Sequence, residues 1–218
     1  MSNSRIFPKL QNIITSDDLR PVMTNAIIED GYIVATNAHI MLFSKIDGIA
    51  AQDCINGLDE LNGVMLGCQA IKYLGKANLR LVNFESNRLI AHCGKSEKRV
   101  FYYSGIKNES GDYDMFDEIT GENEHFNQKF PNWRGDIPTQ YTQGEGADFI
   151  GFDPKLLANI TEGFIGDFQG VKIQTSLTNR AILVRPGFSK NEDHIKGQFA
   201  ILMPQMFNEI EYKSNPLL

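Results

Sequence analysis

Cysteine is scarce: Cys54, Cys68 and Cys93 are the only three in 218 residues. They are odd in number and far apart, so they fit neither a disulfide framework nor a CxxC metal pattern, and a reducing cytoplasm is the expected compartment. The four histidines, His39, His92, His125 and His194, make no HxH or HExxH pairing, so no zinc site is indicated. GxSxG, a Cys/His nucleophile signature and a phosphate-cradling loop with a Lys-Ser/Thr step are all missing. The expectation is a protein that is not an enzyme and uses no cofactor. No run approaches the roughly 20 apolar residues of a membrane helix, and "MSNSRIFPKL" has no apolar signal core, so neither export nor a membrane span is expected. Positive charge is also short, 21 Lys plus Arg against 27 Asp plus Glu. The bulk field of such a chain repels a polyanion unless its basic residues gather on one face.

What the chain does have is length and 42% hydrophobic content, enough for a sizeable core in one or two domains. A loosely repeated order runs through it: a short helical segment, then period-2 segments separated by Gly, Asn or Asp turns. The first unit, residues 1–52, holds "FPKLQNIIT" as a short helix, then "VMTNAIIE", a turn at Asp30-Gly31, "YIVAT" and "HIMLFS". The second, residues 53–145, has "LNGVMLG" as a strand, "CQAIKYLGK" as a helix, and the strands "LRLVNFE", "NRLIAHC" and "KRVFYYS". Residues 106–129 turn polar and acidic and read as a long loop. The third, residues 146–218, follows the linker "TQYTQGEGA" and starts a helix at Asp153-Pro154. "VKIQTSL", "RAILVRP" and "QFAILMP" complete it. The fold class expected is α+β, with repeated helix-plus-antiparallel-sheet half-units. In "DYDMFDE", the carboxylates Asp112, Asp114 and Asp117 lack the glycine and distal glutamate of an EF-hand loop, so a solvated acidic loop is expected rather than a calcium site.

Three separated segments, "DDLRPVMTNAIIEDGYIVATNAH", "FPNWRGDIP" and "FAILMPQ", together resemble the bacterial DNA sliding clamp, the β subunit of the replicative polymerase. The first is similar to the family's run R-P-x-L-x-G-x-x-x-E followed by A-T-D-G-H-R. The second is similar to F-P-D-Y-R-x-x-I-P, and the third to the C-terminal L-M-P-M-R strand. Asn37-Ala38 stand where the family has Asp-Gly, Ile40 where it has Arg, and Gln205-Met206 where it has Met-Arg. Only three half-units are visible where the family builds six.

The resemblance implies a DNA-clamp fold and a processivity factor or recruitment platform with no chemistry of its own. It implies a groove for partner peptides at Met23, Thr36, His39, Pro131, Arg134, Met203 and Pro204. Prolines and methionines would give an apolar floor, and Thr, His and Arg would orient a peptide's polar ends. Taken singly, His39 reads as a strand histidine and Trp133 as a core aromatic with its indole N–H paired. The DNA-facing candidates are Lys9, Arg20, Lys72, Lys76, Arg80 and Lys155, on or beside the three helices. Implied partners are a DNA polymerase or other replication and repair proteins, acting through short peptide motifs, and duplex DNA. Three half-units do not encircle a duplex, so a homo-oligomer is expected. The alternatives are a clamp-derived peptide-binding module that does not encircle DNA and, lower, a metal-dependent hydrolase using Asp112, Asp114 and Asp117.

Overall fold

The Asp30-Gly31 turn is the seed of the architecture. Both residues hold positive φ, +50° and +77°, the turn whose twist matches the strands it joins. It links β1 (Ala26–Glu29) to β2 (Tyr32–Thr36), and β2 returns antiparallel through β3 (Ile40–Lys45). The computed structural model describes residues 6–15, 19–50, 53–138, 151–175, 181–189 and 195–204. The linker at 139–147 lies outside the described residues.

Around this hairpin grows a ten-stranded sheet. On one side β1 pairs with β5 (Val64–Leu66), followed by β9 (Gly105–Lys107), β10 (Tyr113–Phe116) and β11 (Asn123–Gln128). On the other side β3 pairs with β14 (Gln198–Leu202), then β13 (Ile182–Phe188) and β12 (Gln169–Thr175). A smaller sheet, β4-β6-β7-β8, is built from β4 (Ile55–Asn56), β6 (Leu79–Glu85), β7 (Arg88–Cys93) and β8 (Glu97–Tyr102). The described helices are α1 (Ile46–Ala50), α2 (Cys68–Leu74), α3 (Trp133–Asp136) and α4 (Pro154–Gly163). The protein is therefore mixed α+β and mostly antiparallel sheet. Among the described residues no helix is long and apolar enough to cross a membrane.

Strand alternation sorts the large sheet into two faces. Ile28, Ile33, Ala35, Ile40, Leu42, Val184, Ala200 and Leu202 join one core with Leu10, Ile71, Leu74, Ile160 and the inner face of the small sheet. Ile27, Val34, Met41, Phe43, Met65 and Ile201 face the other way, where Phe130 and Trp133 cover them. Two faces are thus buried, which is why "AII", "IVA" and "IMLF" read as continuous apolar runs.

Residues 106–129 are not a loop. They extend the large sheet as a meander through β10 and β11, because Tyr113 and Met115 have apolar neighbours on the second face even though β11 itself is almost wholly exposed. The turn between β10 and β11 also carries Glu118, whose carboxylate accepts the N–H groups of Gln69 (3.0 Å) and Ala70 (3.1 Å) at the start of α2. Gly67 makes that approach possible, since a Cβ there would run into the Glu118 carboxyl. Replacing Glu118 with Ala is expected to lower stability by about 1 kcal/mol, the usual worth of a lost helix cap, in urea unfolding.

A second difference lies before β1. "VMTN" is not strand: Pro21–Thr24 form a 3-10 turn, since proline fixes φ at its first position. The Thr24 hydroxyl (2.7 Å) and the Asn25 amide (3.0 Å) both donate to the Pro21 carbonyl. In residues 7–15 the helix shortens to a 3-10 turn at Leu10–Asn12. Asp153 does cap α4, its carboxylate accepting the Lys155 N–H at 2.8 Å.

Candidate functional site

The β2–β3 loop fixes one end of the second apolar face. The Thr36 hydroxyl donates to the Ile40 carbonyl (2.9 Å) and accepts the Ala38 N–H (3.2 Å). The Asn37 side-chain oxygen accepts the N–H groups of both His39 and Ile40, each at 3.0 Å. Such Asx and hydroxyl bonds are what Asn and Thr offer a tight loop. The His39 carbonyl then accepts the Met203 N–H at 2.9 Å, prolonging the β3–β14 ladder by one rung. Residues 164 positions apart meet there, counting from His39 to Met203.

Three candidate groove residues, Thr36, His39 and Met203, meet at this end, and Met23 and Pro204 adjoin it along the chain. Thr36, His39 and Met203 are tied as described, Pro204 follows Met203, and Met23 lies in the 3-10 turn that leads into β1 where Ala26 opposes Ala35. Their exposures divide them. Thr36 is 1% exposed and its hydroxyl is used within the loop, whereas His39 is exposed and Met203 is 45% exposed. Met203 continues the outward row of Phe199 and Ile201, so its side chain extends the apolar face set by Met41 and Val34.

Arg134 is held at the other end. Its guanidinium bonds Glu29 and Asp30 at the β1–β2 turn, four residues along β2 from Thr36, or about 13 Å. Pro131 lies between Phe130 and Trp133 on the covering segment, half-buried, its carbonyl accepting the Trp133 N–H at 2.8 Å. Around Arg134 is a network with no precedent in the sequence reading. Glu29, 5% exposed, receives the Lys107 ammonium, the Trp133 indole N–H (3.1 Å) and Arg134 Nη1 (3.2 Å). Burial pushes its carboxyl up, but the Lys107 and Trp133 hydrogen bonds and the two nearby cations outweigh that and hold it below the ordinary glutamate range.

The candidate DNA-facing residues are spread over helices and sheet. The 3-10 turn Leu10–Asn12 packs against both α2 and α4, so these helices share one face of the large sheet. Lys72 on α2 and Lys155 in the first turn of α4 are exposed there. Lys9 pairs with Glu162 on α4. Lys76 pairs with Glu97 at 3.2 Å and lies over the Tyr73 ring. Arg20 is exposed just before the Pro21–Thr24 turn, and Arg80 is exposed on β6 of the small sheet. Among the described residues Lys72, Lys155, Arg20 and Arg80 make no ion pair.

Neither a family model nor a curated protein matches the chain.

The acidic carboxylates have local roles. Asp117 accepts the N–H groups of Ile119 (2.9 Å) and Thr120 (2.7 Å), which hold its carboxyl below the usual range. Asp114 accepts the Asn108 amide at 2.8 Å. Among the described residues no group of three or more His, Cys, Asp or Glu is placed to hold a metal ion. The site offers an exposed apolar end with a histidine at its rim and fixed backbone beneath. Met41 and Ile201, which floor that end, were missed as site residues; alternation along "HIMLF" and "FAIL" was the signal that could have found them.

Proposed function

We propose that the chain is a sliding-clamp-like platform, a processivity factor or recruitment module that docks partner peptides at the Met203 end of its second apolar face. The observation that carries this reading is the Met203–His39 ladder bond, which joins the first and third segments of the resemblance at one exposed apolar end, while the second is held at the far end of the same face. Polymerases and other replication or repair proteins are the proposed partners, engaged through short peptides. The helix face bearing Lys72 and Lys155 is the proposed side for duplex DNA.

Enclosing a duplex requires several copies, and two features favour a homo-oligomer. The ten-stranded sheet ends in β11 and β12, both exposed and unpaired on their outer side among the described residues. The β11 end is acidic, with Asp117, Glu122 and Glu124, whereas β12 sets Lys172 opposite Arg185. A peptide-binding module that never encircles DNA is the second reading, favoured by the pairing of Lys9 and Lys76 with Glu162 and Glu97.

Fluorescence anisotropy with a labelled clamp-binding peptide from a bacterial replicative polymerase tests the groove. Met203→Asp is expected to weaken binding at least tenfold with an unchanged unfolding midpoint, because the side chain is half in water already. Unchanged affinity, or no binding by the unmodified protein, overturns the reading. Size-exclusion with light scattering, then retention on nicked circular against linear DNA, separates ring from module. A monomer with equal retention removes the ring.

A further inference from the structure

Ala38 holds φ +73°, one of three non-glycine residues at positive φ among those described. The other two have polar side chains; Ala38 has a methyl and nothing with which to offset the crowding of its Cβ. The strain is held by the bonds around it: the Thr36 hydroxyl on its own N–H, the Asn37 oxygen on the next two N–H groups, and the Met203 N–H on the His39 carbonyl. Strain of this kind persists only where the surroundings over-determine the backbone. Here the restraining bonds and the exposed rim are the same few residues.

An alanine at this position favours negative φ. Rotation of Ala38 out of the left-handed region breaks the Thr36 and Asn37 clasps and carries His39 away from Met203. A relaxed arrangement with Ala38 at negative φ would compete with the rim-forming one, and alanine weights that balance further toward it than a residue that tolerates positive φ. We propose that Ala38 is a positioning residue that sets the affinity of the His39–Met203 rim for a docked peptide, keeping it below the maximum the same contacts could give. The proposal rests on the docking function above. It follows the rule that apparent affinity falls with the fraction of molecules in the competent arrangement.

The test is the series Ala38→Asn, Ala38→Gly and Ala38→Val in the full chain. Amide exchange at His39, Ile40 and Met203 is measured without peptide, and affinity for the labelled polymerase peptide is measured by anisotropy. Asn and Gly accept positive φ and are expected to slow exchange at these three amides and to tighten binding by up to about twofold. Valine is expected to speed exchange and to weaken binding at least fivefold. Amides of β6 and β7 should exchange alike in all four proteins, which excludes a global stability effect. Exchange that does not follow the order Asn and Gly, then Ala, then Val overturns the proposal. So does an affinity that stays flat while exchange moves. If no protein in the series binds the peptide while exchange follows the order, the docking function fails and the loop equilibrium stands.

Discussion

Trp133→Ala is expected to cost about 4 kcal/mol, within the range for removing a large buried aromatic. Trp133 is 6% exposed. Its ring meets Tyr32 edge-on with centroids 6.4 Å apart and Phe43 at 5.6 Å, and the Arg134 guanidinium lies 4.3 Å over it. Phe43 in turn stacks on Phe199 at 4.4 Å, so the indole closes an aromatic group that spans β2, β3 and β14. Alanine leaves a cavity over Ile27, Val34 and Phe43 and removes one of the three donors to Glu29. For a chain of this size the loss corresponds to a fall in unfolding midpoint of about 8–16 °C, measured by far-ultraviolet circular dichroism. Trp133→Phe keeps an aromatic ring but loses the five-membered part of the indole with its N–H, and about half of the effect is expected. A loss under about 1.5 kcal/mol for the alanine variant would mean that the 130–137 segment rests on the face without closing it.

The covering segment shows where sequence reasoning reaches and where it stops. Asp30-Gly31 between apolar runs and Asp153-Pro154 before "KLLANI" are local signals, and both elements begin where those residues put them. The pattern "NEHFNQ" gives no such signal. β11 is strand because β10 pairs with it, and β10 is held through β9 by β5, a segment some fifty residues upstream. Gln198 looks misplaced in an apolar strand until its amide is seen to clasp the Ile165 N–H (2.7 Å) and carbonyl (3.0 Å). Alternation and turn chemistry reached the corner at Thr36, Asn37 and His39, because the Thr36 and Asn37 side-chain bonds run between residues at most four apart, whereas the groove assignment of Thr36 and His39 came with the resemblance. Arg134 was legible as a residue and illegible as a contact. Its carboxylate partners are 104 and 105 positions away, and a glutamate beside an Asp-Gly turn reads as solvated until the segment that buries it is in place.

Glu29→Ala is expected to cost about 3 kcal/mol, the low end of the range for breaking a buried ion pair. The low end applies because Lys107 and Arg134 are 37% and 45% exposed and can turn to water, whereas the Trp133 N–H has no such escape. Glu29→Gln keeps an acceptor for the indole and is expected to cost about half as much. The same carboxylate fixes a pH dependence. Its folded-state pKa is lowered, so its stabilisation is complete above the ordinary glutamate range, about pH 4.3, and is lost as pH falls through the folded value. Urea midpoints of the unmodified protein should therefore decline on acidification more steeply than those of Glu29→Gln, the difference between the two curves isolating this group from Asp117 and the other carboxylates. Parallel curves would show that Glu29 carries no charge-dependent stability. Because Glu29 and Trp133 share a hydrogen bond, Glu29→Gln and Trp133→Phe should combine non-additively, with a coupling of about 1 kcal/mol. Strict additivity would mean that the aromatic group and the carboxylate hold the 130–137 segment independently. Coupling would mean that the charged end of the face and its aromatic cover act as one fastening, opposite the end where Met203 stays open.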